Sequence, residues 1–377
     1  MDWGSVSFDS IYDMSSVPFT FISWITLGLQ RLSKTEFKNL SSGWIQLSIK
    51  TVIVFLFLTT TLMAQNAVPN MDNDVNSNPA LLGLSDRVSV NLVGTSYVDE
   101  ESYFGTKVYE TSMTASQASI GLRSRLLNTE LGSSSSKVQM IEVSSGRKVT
   151  ETESRAPLFQ GSLTISSNFS LGAGLIRNSR DYRNYDNSSL NGIRTVDRYN
   201  AGTVLNLGPL FFGYQQFISH YGESPARVAF SRRGTIASIG VVAGSLWGDM
   251  GSIEYARTTQ DAVKKESDGE RAGIDVGEIS GYSFSFSAVV NNIMLGLYRG
   301  EQTAKQSPLF VEILDDYRYS VTVYKLGYRP RMGFSIFVAS ISDKSRMTFE
   351  GLYQSYFGSE YFTAKGSGTT VGMGYTF

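Results

Sequence analysis

The chain has 377 residues, of which 41% are apolar and 18% charged, and its formal net charge is −1, so no basic field points to nucleic acid. It has no cysteine and a single histidine, His220, which excludes disulfide frameworks, thiolate metal centres and most His-based catalytic sets. A low charge content without a large apolar excess fits a chain that faces lipid on one side and water on the other.

Residues 52–58 read VIVFLFL, preceded by Lys50 and followed by TTTLMAQ. A basic residue, a short apolar run and a small-residue exit form a secretory signal peptide. The run is too short for a transmembrane helix, which needs about 20 apolar residues. Residues 47–64 are therefore expected to be the signal peptide, cleaved after Ala64, with Ala67 as a second candidate. Residues 1–46 stand outside it, either because translation starts near Leu47 or as an extension ahead of an uncleaved anchor. Residues 65–86 form a short periplasmic or luminal segment, and 87–377 form the main domain.

Beyond residue 80 the chain shows no amphipathic helix but a series of segments with period-2 alternation, separated by turn chemistry. In GYSFSFSAVV (281–290), Tyr282, Phe284, Phe286, Ala288 and Val290 share one face, and serines occupy the other. In 317–324, Tyr317, Tyr319, Val321 and Val323 alternate with Arg318, Ser320, Thr322 and Tyr324. The expected strands are 87–97, 115–127, 157–166, 169–180, 195–207, 209–221, 233–245, 251–260, 280–290, 293–303, 315–328, 332–342, 346–357 and 364–377. Strands of this length cross a bilayer at a tilt, which takes about 9–11 residues, whereas strands in soluble domains run to about 5 or 6. Aromatics near segment ends (Tyr182, Tyr185, Tyr199, Tyr221, Tyr317, Tyr356, Phe357, Tyr361) suggest interfacial girdles. The fold class is all-β, a transmembrane antiparallel β-barrel of about 14 strands, with 12–16 allowed.

The turns create a conflict. Short turns at 167–168, 208–209, 247–250, 291–292 and 329–331 alternate with long polar loops, as periplasmic turns and external loops do. Followed to the end, this alternation leaves the last strand finishing on the wrong side. The segment 98–156 is the expected source of the error, because KVQMIEVSSGRKVTETE can form a further hairpin.

The chain ends TTVGMGYTF, with alternation running to Phe377. Thr370, Gly372, Tyr375 and Phe377 resemble the carboxyl-terminal signal by which the bacterial outer-membrane barrel assembly machinery recognises its substrates. The segment DNDVNSNPALLGL, with Asn78, Pro79 and Ala80, is similar to the "NPA" segment before the first strand in the FadL/OmpP1 family, fourteen-stranded outer-membrane channels for hydrophobic compounds. The hairpin 156–176 is similar to that family as well. The resemblance implies a bacterial outer-membrane location and a small hydrophobic ligand, with outer-membrane lipid and the assembly machinery as partners. One departure stands out: 13 residues separate Ala64 from Asn78, too few for the family's complete amino-terminal hatch.

No catalytic set is found, and neither a metal nor a cofactor is expected; the chain reads as a non-enzyme. Arg123, Arg125, Glu254, Arg318 and Glu350 fall on the polar phase of their segments. They are candidates for luminal charges, either as a stiffening salt-bridge network or as a selectivity ring. The competing function is a structural or adhesin-like barrel with a sealed lumen and partner-binding external loops; an outer-membrane hydrolase is a third.

Overall fold

Alternating side chains send every second residue to the same face, so a long sheet of such strands must find two different surroundings for its two faces. The structure, a computed structural model, describes residues 78–84, 88–124, 126–188, 191–224, 228–245, 249–261, 264–266, 278–305, 316–330, 332–348 and 360–377. The chain solves the problem by closing the sheet on itself. The strands are β1 (Ser89–Tyr103), β2 (Thr106–Leu122), β3 (Leu127–Glu142), β4 (Lys148–Ser166), β5 (Phe169–Asn184), β6 (Gly192–Leu207), β7 (Leu210–Ser224), β8 (Val228–Gly244), β9 (Met250–Gln260), the short β10 (Lys264–Glu266), β11 (Ile279–Val290), β12 (Ile293–Ala304), β13 (Tyr317–Tyr328), β14 (Gly333–Thr348) and β15 (Glu360–Thr376). All pairings are antiparallel between chain neighbours, apart from β10, which adds to the edge of β8 while β9 pairs with β11. β1 pairs with β15 from Ser89–Thr376 to Tyr103–Phe362, which closes a barrel of fourteen strands, with β10 as a short addition to the upper end of β8. Among the described residues a 3₁₀ helix, Pro79–Leu84, precedes β1.

The rim that carries Phe377 and the start of β1 is called here the near rim. Its turns are short: Ser167–Asn168, Gly208–Pro209 and Asn291–Asn292, the last pair at φ of 51° and 69°. Two consecutive residues at positive φ form the hairpin turn whose twist matches that of the strands. At the far rim the connections are longer, apart from the two-residue turn Phe104–Gly105 (φ 51° and 74°) between β1 and β2.

The outward residues near the near rim are apolar and exposed on almost every strand, among them Leu205, Phe212, Ile239, Ile253, Phe286 and Val338. An exposed apolar band around a closed barrel is a lipid-facing surface. Higher up, the alternation inverts. On β14 the outward row changes from Phe334, Ile336 and Val338 to Ser340, Ser342 and Lys344, while inward Ile341 and Met347 become apolar. The far half of the barrel holds its own core, in which Tyr103, Tyr109, Tyr317, Tyr319, Met347 and Phe362 pack together. A strand that leaves the lipid faces water on its outer side, so there its apolar side chains turn inward as in a soluble barrel.

That inversion corrects the assignment of faces at 317–323: Tyr317, Tyr319, Val321 and Val323 point inward, and Tyr324 lies on the exposed side. It also breaks up the expected aromatic girdle. Tyr182, Tyr317 and Tyr361 are buried, whereas Tyr185 and Tyr199 are exposed. The strand total of fourteen is right, but two errors cancel in it. β3 was missing, and the proposed hairpin in 137–153 is real, turning at 143–147 between β3 and β4. Against that, 332–342 and the start of 346–357 are one continuous strand, β14; the rest of 346–357 lies outside the described residues. With β14 continuous, the final strand runs back to the near rim, so the conflict over its direction lies in the division at 343–345 and not in 98–156, where the missing β3 instead sets the direction of the strands that follow β2. Residues 1–77, with the expected signal peptide and cleavage site, lie outside the described residues.

Candidate functional site

Two features of the barrel interior bear on passage through it. The first is the segment Asn78–Leu84, which enters the lumen near the near rim and packs on β4, β5 and β6. Asn78 is fully buried. Its side-chain amide donates to the backbone carbonyls of Thr203 (3.0 Å) and Tyr214 (3.3 Å), and its side-chain oxygen accepts from the Ala80 N–H (3.0 Å). Ser170 Oγ donates to the Ala80 carbonyl (2.7 Å), and Thr164 Oγ1 to the Gly83 carbonyl (3.1 Å). Ala80 and Leu81 join Val204, Phe211 and Val242 in an apolar cluster.

Glycine makes this approach feasible. A Cβ at Gly202 would lie 2.7 Å from Asn78 Cγ, and one at Gly172 would lie 2.7 Å from the Pro79 carbonyl oxygen. Asn78, Pro79 and Ala80 therefore form the base of a short plug seated in a glycine-lined cradle.

The second feature is an interruption in the hydrogen-bond ladder of the wall, with the register unchanged on either side. Pro157 on β4 keeps its partner Ser133 on β3. Toward β5, however, the ladder skips from Arg155–Ser179 to Leu158–Ile176, leaving Ala156 and Pro157 unpaired across from Asn178 and Arg177. Proline has no N–H to give to a ladder, so a proline in a strand interior marks a weak seam. Asn178, on the luminal side of the seam, keeps a buried side-chain oxygen with no hydrogen-bond partner. On the outer side, the Arg177 guanidinium is held by Asp197 at 2.9 and 3.0 Å. The seam lies nine residues above the near-rim end of β4, about 22 Å up at a rise of ~3.3 Å per residue and a tilt of ~40°.

The expected luminal charges separate in the structure. Glu254 is buried on the inner wall of β9. Arg123 lies in the β2–β3 turn, donating to the Leu122 and Thr129 carbonyls, and faces Glu130 electrostatically. Arg318 is exposed on the outer face of β13, a correction that follows from the inverted alternation. Arg125 and Glu350 lie outside the described residues.

Charges that the sequence reading missed line the interior. They are Asp99 and Glu101 on β1, Glu130 on β3, Glu151 on β4 and Asp343 on β14, with Arg198 on β6, stacked on Phe217 at 4.1 Å, Arg232 on β8 and Lys325 on β13, so acids and bases are interspersed around the wall. Asp343 accepts from Tyr97 (2.8 Å) and Tyr319 (2.9 Å). Strand parity counted from Val90 or Leu205 would have found these residues, had the inward phase been followed past the apolar band.

The terminal residues divide by face. Thr370 shares a 3.0 Å hydrogen bond with Thr95 inside the barrel. Gly372 lies against the Phe337 ring. Tyr375 and Phe377 are exposed on the outer near rim, their rings 4.8 Å apart. His220 sits on β7 with its ring edge-on to Tyr199 at 6.0 Å.

In sequence, the chain matches no family model and no curated protein. In structure, it is similar to the toluene transporter TbuX of Ralstonia pickettii (TM-score 0.51, 11% identity, 85% of this chain and 97% of that one). It is also similar to the CymD monoaromatic hydrocarbon channel (TM-score 0.54, 10% identity, 83% and 94%) and to a deltaS2 mutant of the TodX monoaromatic hydrocarbon channel (TM-score 0.53, 10% identity, 83% and 95%). At these identities the likeness is one of fold: the chain shares the closed antiparallel barrel of these channels.

Proposed function

We propose that this protein is a bacterial outer-membrane channel for small hydrophobic molecules, in which the solute passes between lumen and lipid through the β4–β5 wall. The observation that carries this reading is the seam at Pro157. An apolar solute has no need of a water-filled exit, and a seam at the upper edge of the apolar row, just above Phe159 and beside the Arg177–Asp197 pair, opens toward the acyl chains. The shared fold supports the reading, since the similar barrels are described as toluene and monoaromatic hydrocarbon channels. The plug base Asn78–Leu84 also supports it, because it obstructs the near end of the lumen beside the same strands. The protein acts as a transporter and not as an enzyme; its partners are membrane lipid and, through Thr370, Gly372, Tyr375 and Phe377, the barrel assembly machinery.

The chain has no cysteine, so a pair placed across the seam gives a clean switch. In the double variant A156C/N178C, oxidation staples β4 to β5. Uptake of a fluorescent monoaromatic probe into cells or vesicles is expected to fall several-fold on oxidation and to return on reduction. Equal uptake in both states would refute a wall route.

The sealed-lumen structural barrel is favoured by one observation, the buried apolar clusters inside both halves of the barrel. Planar bilayers separate the two: probe transport with a stapling response supports the channel, and its absence together with zero conductance supports the sealed barrel.

A further inference from the structure

The outer face of β13–β15 carries like charges in directly opposed positions. Arg318 on β13 stands opposite Arg346 on β14, and Lys344 on β14 stands opposite Lys365 on β15. All four are exposed and face outward. Adjacent strands are about 4.8 Å apart and alternate residues about 6.8 Å apart, so the four Cα atoms fall within one small patch. Like charges directly opposite one another destabilise a sheet. Among the described residues, no carboxylate pairs with Lys344, Arg346 or Lys365. Glu100, opposite Lys365 on β1, is engaged by Lys107 at 2.7 Å. Glu301, opposite Ser320 on β12, is engaged by Arg299 at 2.9 Å.

The height of the patch matters as much as its charge. These residues lie ten to thirteen positions above the near-rim ends of their strands. At ~2.5 Å of height per tilted residue this is about 25–33 Å, well above the outward apolar row of β14 and β15, whose last members stand about 12 Å up. Below the cations the outward row is hydroxyl-bearing: Ser340 and Ser342 on β14, Ser367 and Thr369 on β15, all exposed. On these strands the apolar row ends at Val338 and Val371. Cations above a hydroxyl surface match a ligand that offers phosphate to the former and sugar to the latter.

We propose that the outer face of β13–β15 is a docking site for the phosphorylated head group of a glycolipid in the surrounding leaflet, held by Lys344, Arg346 and Lys365 with Arg318 alongside. The proposal rests on the outer-membrane reading and is independent of what the lumen transports. Opposed cations bridged by phosphate oxygens form charge-assisted hydrogen bonds, which turns an unfavourable pairing into a favourable one.

The test is retention of lipid by the purified, folded barrel in detergent, read by native mass spectrometry. The probes are bisphosphorylated lipid A, the same lipid with both phosphates removed, phosphatidylglycerol and inorganic phosphate. Wild-type protein is expected to retain the bisphosphorylated lipid at least tenfold better than the triple variant K344Q/R346Q/K365Q. The variant K137Q, which alters an ion-paired lysine on β3 at a comparable height, should behave as wild type. If the triple variant does not fold, the single variants R346Q and K365Q should each lose several-fold, and R346K should retain binding. Equal retention by wild type and variants overturns the site. Equal retention of the dephosphorylated lipid or of phosphatidylglycerol overturns the glycolipid assignment. Full displacement by millimolar inorganic phosphate assigns the patch to a free anion instead. Failure of the barrel to insert into vesicles at all would refute the membrane reading, a result distinct from loss of lipid retention.

Discussion

Replacing Gly172 with alanine is expected to expel the luminal segment. The added Cβ would stand 2.7 Å from the Pro79 carbonyl oxygen and closer still to the Ala80 nitrogen. Those are backbone atoms and cannot swing aside, and overpacking of this kind costs about 1–3 kcal/mol. Whether that suffices depends on how firmly the segment is held. Its four bonds to the wall, from Asn78 to Thr203 and Tyr214 and from Ser170 and Thr164, contribute about 2–6 kcal/mol at ~0.5–1.5 each. Burial of Leu81 and Leu82 adds about 3–6 kcal/mol. Ordering Asn78–Leu84 costs about 7–14 kcal/mol at ~1–2 per residue. Docking is thus balanced within a few kcal/mol, and a penalty of ~2 kcal/mol shifts the docked-to-undocked ratio about 30-fold. The assay places a reporter cysteine at half-buried Leu84 (L84C) and follows its maleimide labelling in the folded barrel. G172A is expected to raise the labelling rate at least tenfold, whereas G94A, where nothing lies within 4 Å of the new Cβ, should leave it unchanged. Equal rates in the two backgrounds would refute the cradle.

A Cβ at Gly366 would collide with Tyr97 Oη and Asp343 Oδ1, so G366A should break the buried Tyr97–Asp343–Tyr319 network and cost about 2–4 kcal/mol, seen as a lower temperature for the gel-mobility shift of the folded barrel. Y97F removes the same hydroxyl without the collision and should cost less than G366A; the reverse order would contradict the steric account. Deleting Phe377 should sharply reduce assembly in cells while leaving refolding into detergent micelles nearly intact, because the residue is exposed at the near rim and its side chain packs chiefly on Tyr375. Equal losses in both assays would make it a stability residue instead.

The barrel was legible in the sequence where lipid imposes one rule on every strand. β11, with Tyr282, Phe284 and Phe286 outward and Ser283, Ser285 and Ser287 inward, shows the rule undisturbed. β3 was not legible, because LGSSSSKVQ puts small hydroxyls on both faces and leaves no alternation to count. β14 was cut short because its apolar row changes sides midway. Of the candidate site, the Asn-Pro-Ala motif could be found as a motif. Its cradle could not, since Gly172, Gly202 and Ser170 meet it only through the closed sheet. The seam at Pro157 also needed the strand register, because a proline reads the same in a turn and in a wall.

The inverted alternation of the far half sets the height of the mouth. β4 runs from Lys148 to Ser166, about 45 Å of tilted strand against an apolar band of ~25 Å. The opening therefore stands on a water-facing collar that lifts the far-rim turns roughly 20 Å clear of the acyl chains. A molecule caught by those turns starts its passage in water and meets the aromatic core of the collar before it reaches the level of the seam. On the wall-route reading the collar would act as an antechamber, with the tyrosine-rich cluster as the first surface that a solute meets; on the sealed-barrel reading the same cluster is the stopper.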